Sequence, residues 1–315
     1  MKLAWRLLSL LAATVLTGYF FWFCWKHLDL SLLKATLSDA STIIALALAS
    51  LCYAMIYPLS GVAWRQLLLR QGHKHDSIQL SSLMGATQLA KYIPGNVAQH
   101  ICRVTLSLKQ GIPMPAYAGT VIQETILAAA ASILVGALLL APNAWRPEIS
   151  GHMPLVLVAL LASCTGILLL CIDVPTKNLS TNGRFDKLLY WMGGLPGPIT
   201  TFKALSAYCL NYLAIGLGIW LLALAIGVDG NISYAVATSS FAIAWILGFL
   251  APGAPAGLGA REGIMLLILK GHGSNDQIIQ LVMLARASSM LGDLLAFAVS
   301  ILILRTRRSH QPTPP

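Results

Sequence analysis

The sequence predicts an all-α polytopic integral membrane protein: about six transmembrane helices plus two oppositely oriented re-entrant helical hairpins, in one domain. Three observations predict it. First, 57% of the 315 residues are hydrophobic and only 10% are charged, whereas soluble domains carry roughly 25% charged residues. Second, six apolar stretches are long enough to cross about 30 Å of hydrocarbon at about 1.5 Å per residue. Third, two further apolar regions are broken by Pro-Gly punctuation into arms too short for a comfortable crossing.

The six spans fall near 5–25, 41–63, 115–141, 153–172, 205–228 and 278–305. The first follows Lys2 and Arg6 and could be read as a secretory signal. It is too long for that, ends in the aromatic group "YFFWFCW", and has no small-x-small cleavage site, so it is read as a retained span. Residues 1–308 form the expected transmembrane domain. The Pro-rich tail 309–315 is expected to be disordered.

The broken regions are 78–110, interrupted at Pro94-Gly95, and 233–270, interrupted within "APGAPAGLGAREG", Ala251 to Gly263. Proline removes a backbone donor and forces the preceding residue out of helical geometry. Irregular backbone at membrane depth needs protein or a water-filled cavity to satisfy it. Each break therefore marks either a hairpin tip at an interior polar site or a simple kink.

Orientation follows from the basic residues. With a cytoplasmic N-terminus and both broken regions re-entrant, fourteen Lys and Arg lie on the cytoplasmic side. Four lie outside: Lys26, Lys34, Arg146 and Lys270. This positive-inside bias places both termini in the cytoplasm of a cell whose inner membrane holds the protein. It also explains the formal net charge of +10 without a nucleic-acid partner, for which no basic run interleaved with aromatics exists. The two units, 41–141 and 205–305, are then inverted relative to each other, the plan of many secondary transporters.

The six cysteines form no C-x-x-C, which argues against a zinc site or a disulfide framework. The cluster His73 to Asp76 reads as a solvated loop. No nucleotide motif and no cofactor motif occurs; "PAGLGAREG" lacks the GK[ST] ending of a phosphate-binding loop.

The candidate site residues sit at the breaks. After Pro94-Gly95, Asn96 is a natural N-cap, with Gln99 as its capping-box partner. Asn96, Gln99, His100 and Arg103 share one side of the following helix. With Lys91 and an inward-pointing helix N-terminus they make an anion site; the alternative is a hairpin neck whose cations snorkel to lipid phosphate. In the second hairpin, Pro255, Gly257 and Gly259 precede Arg261 and Glu262, which fall in the first turn of a half-helix starting near Leu258. The alternative there is tight helix packing with both charges paired. Glu124 lies near mid-depth, with Arg103, Arg261 or Arg286 as partner. Arg286 and Asp293, seven residues apart, share a face of the last span. These intramembrane charges mark either a substrate path or ion pairs that lock helices. Glu124 and His100 are the acid–base candidates, but no nucleophile accompanies them, and the chain is not expected to be an enzyme.

"AKYIPGNVAQHICR", then "QET", then "PAGLGAREG" resemble the lysylphosphatidylglycerol synthase transmembrane-region family, a flippase-like domain family. The resemblance covers nearly the whole chain in layout. It matches Lys91, Pro94, Gly95, Arg103 and Glu124 in the first unit and Pro255, Gly257, Gly259, Arg261 and Glu262 in the second. It implies a membrane protein that handles lipids, sometimes alongside glycosyltransferases. Aminoacyl-transferring members carry a soluble synthase domain after the membrane region; this sequence ends at Pro315, so aminoacyl transfer is not expected. The expected function is movement of an anionic phospholipid or polyprenyl-phosphate-linked headgroup across the membrane. The alternative is a non-catalytic subunit that presents a lipid-linked saccharide to a glycosyltransferase or synthase.

Overall fold

A computed structural model describes residues 38–92, 98–140, 153–174, 194–228, 232–251, 257 and 259–309. The expected span 5–25, the breaks Pro94, Gly95 and Pro255, and Asn96, Leu258 and the 310–315 part of the tail lie outside them.

The architecture is helical. In chain order the elements are α1 (Ala40–Ala54), α2 (Ile56–Arg70), α3 (Ser77–Thr87), a 3₁₀ turn (Gln88–Tyr92), α4 (Ala98–Lys109), α5 (Met114–Leu140) and α6 (Met153–Leu170). Then follow α7 (Pro198–Ala225), α8 (Tyr234–Leu250), α9 (Ala260–Leu269) and α10 (Asn275–Ser309). Among the described residues, four stretches are long and apolar enough to cross a membrane: Ala40–Arg70, Met114–Leu140, Pro198–Ala225 and Asn275–Arg307. The expected span 41–63 is drawn as α1 and α2 in succession. Pro58 has no N–H to offer the Ala54 carbonyl one turn earlier, so the helix is interrupted at Met55.

The sequence predicts helices alone. The described residues add a two-residue antiparallel ladder, Asp173–Val174 with Leu195–Pro196. It joins the end of α6 to the start of α7, where the Gly197 N–H also donates to the Leu170 carbonyl at 3.2 Å.

Side-chain bonds fix which helix ends lie together. Gln79 donates to Gln110 at 2.6 Å, tying the start of α3 to the end of α4. Arg307 donates to Asp76 at 2.6 Å, bringing the end of α10 to the same place. Arg70, at the end of α2, pairs with Asp173 beside the start of α7. At the far end of α7, Gln277 donates to the Gly227 carbonyl at 3.0 Å, which places the start of α10 there. The α3–α4 hairpin therefore opens at one end of the long helices, and the α8–α9 hairpin at the other. The packing is reciprocal: α3 lies on α10, and α8 lies on α5. Each hairpin's first arm rests on the last helix of the other unit.

Small residues allow this packing. A Cβ at Gly216 would overlap Thr238, one at Gly61 would overlap Ser81, and one at Gly292 would come within 2.8 Å of the Ser50 carbonyl oxygen. Association of helices in lipid depends on such close approach and on interhelical hydrogen bonds. Ser132 donates to the Ala242 carbonyl at 2.6 Å, linking α5 to α8. Asn211 donates to Ser60 at 3.1 Å, linking α7 to α2. Large apolar side chains such as Phe202, Leu161 and Leu302 point outward, as a lipid-facing surface requires.

Candidate functional site

Among the described residues, seven acidic and basic side chains lie inside the helix bundle: the cations Lys91, Arg103, Arg261 and Arg286, and the carboxylates Glu124, Glu262 and Asp293. Charges at membrane depth persist only when paired or facing a polar cavity, so their partners decide their roles.

Arg103 on α4 pairs with Glu124 on α5, through Nη2 at 3.0 Å from Oε1 and 2.9 Å from Oε2. The guanidinium lies 4.0 Å from the centroid of the Trp64 ring. Trp64 is itself held by an indole N–H bond to Thr120 at 2.9 Å. Of the three arginines considered for Glu124, Arg103 is the one it meets. His100, expected on the polar side of α4, has an exposed side chain. Gln99 donates to Gln88 at 2.8 Å, closing the space between α4 and the 3₁₀ turn.

A second group gathers on α10. Lys91, in the 3₁₀ turn, places its ammonium 2.7 Å from Asp293 Oδ2. Asp293 is wholly enclosed and also accepts from the hydroxyls of Tyr57 and Tyr92. Lys91 rests against the rings of Tyr53 and Tyr92. One turn-pair earlier on α10, Arg286 lies 5.7 Å from the Tyr92 ring centroid and 3.3 Å from Glu262 Oε1 on α9. Arg286 and Asp293 thus share a face: Asp293 receives Lys91 and Tyr92 of the first hairpin, and Arg286 meets Tyr92 of the first and Glu262 of the second.

Glu262 has a local task as well. Its Oε2 accepts the Gly259 N–H at 2.8 Å, closing the helix start that the sequence placed near Leu258 and the structure begins at Ala260. Gly257 and Gly259 have φ of +69° and +80°, a backbone region that side chains with a Cβ rarely adopt. These glycines let the chain turn into α9 with Arg261 and Glu262 in its first turn.

Arg261 differs from the other cations. It lies over the Phe241 ring at 4.9 Å and within electrostatic reach of Tyr53, Glu262 and Asp293. The described carboxylates in the bundle are each paired with another cation. Its Nε, together with Nε and Nη2 of Arg286, is buried with no acceptor among the described residues. The Glu262–Arg286 contact is itself a charge contact only, since Oε1 receives no hydrogen bond. Buried donors left open in this way are costly, and the planar guanidinium fork suits a phosphate or carboxylate.

A family model for the lysylphosphatidylglycerol synthase TM region matches residues 7–304. The chain belongs to that family. It is a multi-pass membrane protein of this flippase-like family. The comparison with curated proteins finds no match.

Family resemblance and charge counting pointed to the ionisable residues, but not to the aromatic groups around them: Tyr53, Tyr57, Tyr92 and Trp64. Two signals were present. Tyr53 and Tyr57 are four residues apart, hence on one helix face, and Tyr92 follows Lys91 directly. Among the described residues no group of His, Cys, Asp and Glu could hold a metal ion.

Proposed function

We propose that this member of the family is a lipid flippase-like transporter that passes the anionic headgroup of a phospholipid or polyprenyl-phosphate-linked lipid across the cytoplasmic membrane. The observation that carries the reading is the surplus of buried positive charge: four cations against three carboxylates, with Arg261 the one lacking an ion-paired carboxylate among the described residues. An anionic headgroup reaching Arg261 and Arg286 would fill their open N–H donors and balance the charge. A cationic headgroup would add to the surplus.

The opposed hairpins support movement rather than static binding, because each reaches the same face of α10 from a different end. Among the described residues, Arg70, Lys74, Lys109, Lys203, Arg305 and Arg307 gather where the first hairpin opens, against Lys270 at the other end. By the positive-inside rule the first end is cytoplasmic. In this reading both chain termini are cytoplasmic too.

The test is reconstitution into liposomes containing a headgroup-labelled anionic phospholipid, with transbilayer movement followed by quenching from outside. Wild-type protein accelerates the movement, and Arg261→Ala does not. Equal rates for the two would remove the reading. Movement only after a glycosyltransferase or synthase is added would favour a presenting subunit instead.

A further inference from the structure

We propose that Asp293 is a proton-coupling site, taking up one proton when Lys91 leaves it for the anionic headgroup. This rests on the headgroup reading above and adds to it the partner that accompanies the lipid.

The three buried carboxylates are not held alike. Glu124 and Glu262 face arginines, which stay charged at any physiological pH, and Glu262 also accepts a backbone N–H. Asp293 alone among them faces a lysine. Its two other partners are the tyrosine hydroxyls of Tyr57 and Tyr92. A hydroxyl can donate or accept. Both can therefore stay hydrogen-bonded whether Asp293 is a carboxylate or a carboxylic acid.

The lysine is the member of the pair that can move. Its side chain is 13% exposed, while that of Asp293 is 0%. It has a flexible four-carbon stem and stands on a 3₁₀ turn, a weaker hydrogen-bonded element than the helix carrying Asp293. When its ammonium turns to a phosphate, Asp293 becomes an enclosed charge without its ion-pair partner. Such a group neutralises rather than remain charged.

The surroundings favour this outcome at Asp293 over its neighbours. From α1 it is approached by Tyr53, from α2 by Tyr57, and from the 3₁₀ turn by Lys91 and Tyr92. From α9 Arg261 comes within electrostatic reach, and on its own helix Arg286 is matched by Glu262. Helix α3 carries no titratable side chain, and on α7 the Tyr212 hydroxyl is committed to the Ala128 carbonyl at 3.1 Å.

The step balances. One proton from water joins one Asp293 oxygen to give a neutral acid, Lys91 stays an ammonium throughout, and the headgroup brings one negative charge. A proton and a singly charged anion therefore enter together with no net charge moved.

The full-length protein in detergent is titrated with dihexanoyl-phosphatidylglycerol by calorimetry in buffers of different ionisation enthalpy. Wild-type protein takes up about one proton per lipid bound, and its affinity weakens by up to about tenfold per pH unit. Infrared difference spectra show a protonated carboxyl band appearing on lipid binding, absent in Asp293→Asn. The wild-type proton count decides the matter even if that variant folds poorly. Binding with no proton uptake, or uptake with no new carboxyl band, overturns the coupling and leaves the headgroup reading standing. No binding to wild-type protein overturns both.

Discussion

Glu262 on α9 stands 3.3 Å from Arg286 on α10, and this contact reverses the polarity of the Arg103–Glu124 pair on α4 and α5. In each unit the second arm of the hairpin is joined to the long helix that follows it. Glu124 lies ten residues past Met114 and Arg286 eleven past Asn275, so the two junctions sit at matching depths. The first unit puts the cation on the hairpin, the second puts it on the long helix.

Arg261 and Arg286 should respond differently to truncation. Arg261→Ala strands no ion-paired carboxylate, so the protein should fold and melt near the wild-type temperature while losing lipid movement. Arg286→Ala leaves Glu262 buried without its ion pair, a situation that costs about 3–5 kcal/mol, so folded yield should fall as well. Thermal melting by size-exclusion chromatography, run beside the liposome measurement, checks both.

The Arg103–Glu124 pair should behave as an interhelical lock. Glu124→Ala should lower the melting temperature strongly, again by about 3–5 kcal/mol of stability. The exchanged double variant, Arg103→Glu with Glu124→Arg, should recover part of that loss. A double variant no more stable than the worse single one would show that the Trp64 stacking, not the ion pair, sets the geometry.

Two glycines give a packing test. Gly216→Ala pushes a methyl into Thr238 of α8 and should cost about 1–3 kcal/mol, as overfilled cores do. Gly263→Ala, inside α9 with open space around it, should be neutral or stabilising by up to about 1 kcal/mol. Melting curves of the two variants in one detergent compare them directly.

Asp76 and Arg307 join the start of α3 to the end of α10. The hydrogen bond from Arg307 is the main cause holding the Asp76 carboxyl below its usual 3.8. A depressed carboxylate contributes stability above its unfolded value and loses it as pH falls through the folded one. The contribution should thus be complete at pH 5–8 and fade only below about pH 4. Asp76→Asn should lower the melting temperature slightly at neutral pH, less so in high salt, and by progressively less as pH falls through the folded-state value.

The sequence by itself determined that the chain is a bundle of membrane helices, because runs of apolar residues report the solvent around each helix without reference to any other. It also located the helix starts within the second break to within two residues, since glycine and proline act on their own backbone. The set of buried charges was legible for the same reason: a charge within an apolar run is conspicuous locally. Which charge meets which was decided only by the tertiary structure. Tyr57 and Asp293 are 236 positions apart, and their meeting depends on how α2 and α10 rotate about their axes when small residues such as Gly292 bring the backbones close. The same rotations left Arg261 as the cation without an ion-paired carboxylate among the described residues; four candidate cations and three carboxylates could have been matched in many ways, and helix packing selected one.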